Sequence, residues 1–215
     1  MLRYQIIPVT SFQQNCSLLW CDKSKEAVLV DPGGDVELLL EAVEVNKVKL
    51  KEIWLTHGHL DHIGGSAELV KLFDLPIIGP HIDDQFLIEA IPQQIQMFGF
   101  SPVDFFTPNK WLLDGDSLKL GDEVFNVVSA PGHTPGHIII KHEKQKLLWV
   151  GDVLFKNGIG RTDFPRGNHQ QLLSSIKQQL LVLDDEFRFI PGHGPESTIG
   201  EERKNNPFLA ELCHN

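Results

Sequence analysis

Apolar residues recur along this chain in short runs, each closed by turn chemistry. Residues 5–9, 16–20 and 27–30 are such runs, and Asp31-Pro32-Gly33-Gly34 closes the third, so all three read as strands. Asp35 stands where an N-cap would, ahead of a helix ending near Lys47 with Val36, Leu38, Leu39, Leu40 and Val43 on its apolar face. Residues 53–55 form a short buried strand, and Gly64-Gly65-Ser66 leads into a helix over 67–73. Pro76-Ile77-Ile78-Gly79 suggests another strand, followed by a helix over 83–91 that Pro92 stops. Residues 93–108 carry Phe98, Phe100, Phe105 and Phe106 without a period, and read as a packed loop or lid, or as an ordered core excursion.

The second half repeats the theme. Strands are expected at 117–120, 124–129, 137–141, 147–150 and 188–190, with a helix over 168–181 that turns Leu172, Leu173, Ile176 and Leu180 inward. Both halves thus pair strands with flanking helices, which is α/β organisation with polar loops at the strand ends. No linker, low-complexity tract or short-period repeat interrupts the chain, so 1–215 reads as a single domain.

Composition narrows the partners. At 215 residues and 41% hydrophobic the chain can bury a sizeable core, yet no apolar run is long enough to cross a bilayer. The opening Met1-Leu2-Arg3-Tyr4-Gln5 lacks the pattern of a signal peptide. Cys16, Cys21 and Cys213 are odd in number and none belongs to a CxxC pair, which suggests reduced thiols in a cytoplasmic protein. A net charge of −10 argues against nucleic acid or an anionic membrane as partner, although bound cations would reverse the field locally. A small-molecule partner, with the protein a monomer or weak homo-oligomer, is the expectation.

The chemistry is concentrated in a few fragments. Thr56-His57-Gly58-His59-Leu60-Asp61-His62 follows the apolar Ile53-Trp54-Leu55 and packs four potential metal ligands into one loop. Downstream lie Pro131-Gly132-His133-Thr134, Val150-Gly151-Asp152, Gly160-Arg161-Thr162-Asp163-Phe164 and Pro191-Gly192-His193-Gly194. Imidazole nitrogens and carboxylate oxygens suit zinc, iron(II) or manganese(II), and no thiolate is present in these fragments. The seven candidates are His57, His59, Asp61, His62, His133, Asp152 and His193, more than the four that close a structural zinc site. Seven suit two metals sharing a carboxylate. Ser129 and Thr134 lie near His133 without the context of a catalytic triad. Among the other histidines, His81 reads as a helix-start residue and His137 as a packed polar residue or a neighbour of the ligands. His142, His169 and His214 read as solvated.

The HxHxDH loop, the Pro-Gly-His-Thr turn, the Gly-Asp after a strand and the final Pro-Gly-His together resemble the metallo-β-lactamase superfamily. The resemblance implies an αββα sandwich of two β-sheets flanked by helices, with the site at one edge. It implies that His57, His59 and His133 hold a first metal, that Asp61, His62 and His193 hold a second, and that Asp152 bridges them. Asp31 matches a further motif of the superfamily and would organise the ligands; a plain turn residue is the alternative. Two divalent metals, less the charges of Asp61, Asp152 and a hydroxide, leave residual positive charge for an anionic intermediate. They also lower the pKa of bound water from about 15.7 towards roughly 7, giving a hydroxide nucleophile at neutral pH. Asp61 and Asp152 are accordingly the expected catalytic carboxylates.

Within the superfamily, Asp152 speaks against lactam hydrolysis, and the short acidic chain against nucleases. Gly151-Asp152-Val153-Leu154-Phe155, Gly160-Arg161-Thr162-Asp163-Phe164-Pro165-Arg166-Gly167-Asn168 and Gly200-Glu201-Glu202-Arg203-Lys204-Asn205-Asn206-Pro207-Phe208-Leu209 are similar to short bacterial glyoxalase II. That similarity implies a hydrolase of the hydroxyacylglutathione type, converting S-D-lactoylglutathione to D-lactate and glutathione, with two zinc ions or iron or manganese in their place. The helical C-terminal segment that grips glutathione in longer relatives is not matched, and Arg161 and Asp163 stand where those use Lys and Tyr. Arg161 either offers its fork to a substrate carboxylate or pairs with Asp163. Arg203 and Lys204 are the other substrate-binding candidates, with Arg166 a lesser one. The alternative from a different reaction class is a persulfide dioxygenase, holding one iron through His57, His133 and Asp152.

Overall fold

The computed structural model describes residues 1–213, which leaves His214, one of the histidines expected to be solvated, outside the described residues. The first sheet comprises β1 (Leu2–Val9), β2 (Gln14–Cys21), β3 (Glu26–Val30), β4 (Lys49–Trp54) and β5 (Ile77–Ile78), hydrogen-bonded in that order. Its first three strands pair antiparallel, and β3, β4 and β5 run parallel. Parallel neighbours need crossovers. Between β3 and β4 the chain forms α1 (Val36–Asn46); between β4 and β5 it forms α2 (Leu60–Ile63) and α3 (Ser66–Phe73).

Two helices, α4 (Gln85–Glu89) and α5 (Ile91–Phe98), then lead to the second sheet. There β6 (Ser117–Leu120), β7 (Glu123–Ser129), β8 (Ile138–His142) and β9 (Leu147–Gly151) form an antiparallel meander. A small ribbon of β10 (Leu154–Phe155) and β11 (Gly158–Ile159) precedes α6 (His169–Ser175). Beyond it β12 (Arg188–Pro191) pairs parallel to β9, and β13 (Ser197–Thr198) completes the edge before α7 (Ile199–Asn205) and α8 (Ala210–Cys213).

The period of two in the strands sorts side chains into three cores. Between the sheets, Leu19, Val28 and Trp54 meet Phe125, Ile140 and Trp149, with Trp54 edge-on to Phe125 at 5.1 Å. Outside the first sheet, Leu29 and Ile53 lie under Leu39 of α1 and Leu69 of α3. Outside the second, Leu148 and Phe189 lie under Leu172 of α6 and Ile199 of α7. The layers are therefore helix, sheet, sheet, helix, as expected.

Several local expectations are corrected. Asp35 does precede α1, but its carboxylate caps nothing; it accepts from the Thr10 amide at 2.6 Å and ties the β1–β2 turn to the helix. The buried stripe of α1 is Val36, Leu39 and Ala42, and Leu38 is exposed. The helix expected to stop at Pro92 ends just before it, at Glu89, and Pro92 opens a second helix. It sits in the first turn of α5, where its missing N–H has no intrahelical partner to lose. Residues 93–98, expected as loop, are therefore helical. The predicted 168–181 helix is capped by Asn168, then widens after Ser175 into a π-helical turn at Ile176–Leu180. His142, expected in solvent, is buried: β8 turns it inward against Phe125, where Glu123 meets its Nε2 at 3.0 Å.

His81 and His169 fall as expected, at a helix start and on the surface. Cys16 and Cys21 are free and buried. Among the described residues no helix is long and apolar enough to cross a membrane. Phe125 joins the two sheets at the centre of the sandwich, so Phe125→Ala should cost about 3–5 kcal/mol in urea unfolding of the metal-free protein. A loss below about 1 kcal/mol would show that the inter-sheet core does not hold the layers together.

Candidate metal centre

The site is assembled where strands end. Because β3 and β4 are parallel neighbours, Asp31 and Thr56 emerge side by side from the same edge. The Asp31 carboxylate accepts from the Thr56 amide at 2.7 Å and from its hydroxyl at 2.5 Å. The same carboxylate accepts from His62 Nδ1–H at 2.9 Å, which leaves His62 Nε2 to face the site. Asp31 is thus a turn residue whose carboxylate also orients His62. Asp61 and His62 project from α2, directly after the loop carrying His57 and His59.

The other half comes from the second sheet. His133 lies in the turn between β7 and β8, Asp152 follows β9, and His193 follows β12. Two glycines allow these strands to approach. Gly151 has φ +48°, and a Cβ there would lie 2.6 Å from Thr56 Oγ1 and 2.7 Å from His137 Nε2. A Cβ on Gly192 would lie 2.1 Å from Asp152 Oδ1. Neither position has room for a side chain.

All seven expected ligands converge. The ligand atoms of His57, His59 and His133 lie within 4.8 Å of one another, and so do those of Asp61, His62 and His193. Asp152 faces both trios: its Oδ1 is 3.3 Å from His62 Nε2, and its Oδ2 is 3.6 Å from His133 Nε2 and 3.8 Å from His193 Nε2. His133 Nδ1 donates to the Arg161 carbonyl at 2.7 Å, so its Nε2 turns a lone pair towards His59 Nδ1, 2.9 Å away. His57 Nε2, His62 Nε2 and Asp152 Oδ1 are buried without a hydrogen-bond partner. Buried polar atoms left unpartnered in this way are costly unless a cation shares them, so the residues fit a metal pair.

The titration of the groups agrees. Burial, with the neighbouring histidines, holds His57 well below the usual imidazole range. Burial and then His133 bring His59 down to about 3, and burial also lowers His133. These three are neutral donors at pH 7. Burial opposes charge on His62 too, but Asp152 and Asp61 outweigh it and raise His62 well above its usual value. That half of the site therefore draws in positive charge.

A model of the metallo-beta-lactamase superfamily matches residues 9–193. The chain belongs to that superfamily. Hydroxyacylglutathione hydrolase GloC of Haemophilus influenzae is 50% identical to it over 210 residues, 97% of this chain and 98% of that protein. Among solved structures, the B3 metallo-beta-lactamase BLEG-1 superposes with a TM-score of 0.89 at 36% identity, covering 97% of this chain and all of that one. TTHA1623, solved in a di-iron-bound form, superposes at 0.86 with 34% identity over 95% of this chain and all of that one. The expected enzyme class of hydrolase stands.

A cavity of about 410 Å³ opens over the candidate ligands. Its wall is aromatic: Phe12, Phe98, Phe100, Phe155 and Phe164, with Ile159. Of the cations expected on substrate, Arg161 lines it and the other three do not. Arg203 instead donates to the Leu181 and Leu183 carbonyls at 3.0 and 2.8 Å and pairs with Asp185, satisfying the open end of the π-helical turn. Lys204 is exposed on α7, and Arg166 stacks over Phe86 at 4.1 Å.

Three residues carry more of the site than the sequence signalled. His137 stacks on His57 with ring centroids 4.7 Å apart and accepts from the Asp152 amide at 3.0 Å. Gln94 of α5 accepts from the Leu60 amide at 2.9 Å, latching the helix to the HxHxDH loop. Asp84 is fully buried and accepts from the Gly58 amide at 2.9 Å, the Thr134 hydroxyl at 2.8 Å and the Gly136 amide at 2.6 Å. Burial raises its pKa to about 6 against the pull of those donors. Asp84 therefore clamps the loop of His57 and His59 to the turn of His133. Asp84→Asn puts an amide N–H where an acceptor is needed, and should weaken divalent-metal binding by roughly 10- to 100-fold in a chelator-competition titration. Unchanged affinity would remove Asp84 from the positioning of the histidines.

Proposed function

We propose that this chain is a two-metal thioester hydrolase that cleaves S-D-lactoylglutathione to D-lactate and glutathione. The observation that carries the reading is the pair of ligand trios with Asp152 set between them. His57, His59 and His133 would hold one metal, Asp61, His62 and His193 the other, and Asp152 would be shared. When bound, such a pair supplies an activated water at neutral pH and polarises the thioester carbonyl. Nitrogen and oxygen donors suit zinc, and equally iron(II) or manganese(II).

The chain's own residues do the rest. Asp61 and Asp152 supply the negative charge that draws in the cations, and Asp31 and His137 fix His62 and Asp152 in orientation. The phenylalanine wall packs the acyl group and sulfur and thins the water around the reacting carbonyl. Arg161 at the rim is the cation available to a glutathione carboxylate. Water adds to the carbonyl, the C–S bond breaks, and the thiolate leaves to be protonated. The name of the 50% identical GloC supports the thioester, and the second trio favours two metals over a single-iron persulfide dioxygenase. A single domain in the cytoplasm, acting on a small molecule, fits the free buried Cys16 and Cys21 and the net charge of −10.

Metal-loaded protein should cleave S-D-lactoylglutathione, and Asp152→Asn should lower kcat by orders of magnitude with an unchanged far-UV spectrum. Preferential cleavage of a chromogenic cephalosporin, or persulfide-dependent oxygen uptake without thioester cleavage, would overturn the reading.

A further inference from the structure

The cavity over the ligands holds few ionisable groups besides the ligands themselves. His59, Asp61, His133, Asp152 and His193 all belong to the metal cluster, and the remaining lining is aromatic or aliphatic except for Arg161. The Arg161 fork is already engaged: its Nε donates to Asp163 Oδ1 at 2.7 Å and its Nη2 to Oδ2 at 2.6 Å. That side-on arrangement is the one a guanidinium makes with any carboxylate. The guanidinium also lies over the Phe164 ring at 4.2 Å, and Phe164 stands edge-on to His59 at 4.9 Å. The stack holds the cation at the rim whether or not Asp163 is attached. Both members of the pair are open to solvent, at 60% and 67% exposure, so the bond between them is easily exchanged.

We propose that Asp163 occupies, on Arg161, the place of a substrate carboxylate, and thereby sets how tightly anionic thioesters bind. The inference rests on the thioester reading above and adds a specificity residue to it. A thioester whose thiol half carries a carboxylate must displace Asp163, exchanging one fork for another; a neutral thioester displaces nothing. Asp163 thus narrows the advantage that Arg161 gives to glutathione conjugates. It acts through Arg161 and touches no reacting atom.

Steady-state kinetics on two lactoyl thioesters test this, one of glutathione and one of the uncharged thiol N-acetylcysteamine. Asp163→Asn should lower KM for the glutathione thioester roughly two- to five-fold, the scale of an exposed ion pair, with kcat and the KM of the neutral thioester unmoved. In an Arg161→Ala background the same substitution should change nothing, and Arg161→Lys should keep part of the effect. Equal shifts for both substrates, or a raised KM for the glutathione thioester, would make Asp163 a structural residue of its loop and overturn the proposal. Calorimetric binding of glutathione itself separates the two claims. Tighter binding by Asp163→Asn without thioester cleavage would sink the thioesterase and keep the inference. Cleavage with unmoved KM and unmoved glutathione affinity would do the reverse, and neither cleavage nor glutathione binding would sink both.

Discussion

Five imidazoles and two carboxylates converge at one edge of the sandwich, several with buried lone pairs that meet no hydrogen. Left alone, such a set pulls two ways: His57 is forced neutral by burial, while His62 is driven to take a proton by Asp152 and Asp61. A shared pair of cations satisfies both tendencies at once, with neutral nitrogens on one side and compensated carboxylates on the other. The constraint explains much of the surrounding architecture. Each side chain must be held within about 0.5 Å of its place, and each must be prevented from collapsing onto its neighbour.

The sandwich meets that demand with strand ends and buried clamps. Parallel pairing of β3 with β4 sets Asp31 against Thr56, and parallel pairing of β9 with β12 brings Asp152 towards His193. Across the two halves, Asp84 bonds Gly58 on one side and Thr134 and Gly136 on the other. Gln94 adds a tie from α5, whose Phe98 also lines the cavity. The helix pair α4–α5 therefore both braces the ligands and walls the substrate space. Its replacement by a loop would loosen both.

The layers and the ligand cluster were legible because they depend on local pattern. Alternating strands report which faces are buried, and HxHxDH crowds its ligands in sequence before folding crowds them in space. What stayed hidden depends on partners far along the chain. Asp84 reads as one of two adjacent aspartates at a helix start, and its partners, at Gly58, Thr134 and Gly136, lie up to 52 residues away. His142 reads as polar among polar neighbours until Glu123 is set opposite it. Pro92 reads as a stop, and α4 does end just before it; that it also opens α5 depends on its place in a turn, which only the drawn helix reveals. Arg203 and Lys204 matched a motif, but the π-helical turn consumes one and solvent surrounds the other.

The HxHxDH loop therefore matters less as a count of candidate ligands than as part of two trios, each completed from the second sheet. Two-metal hydrolysis requires those two sets to be separate and both loaded. Native mass spectrometry of the protein after metal reconstitution tests it most directly. Two divalent ions per chain are expected, falling to one when Asp61 is changed to Asn; a single ion per chain in the unaltered protein would contradict the account.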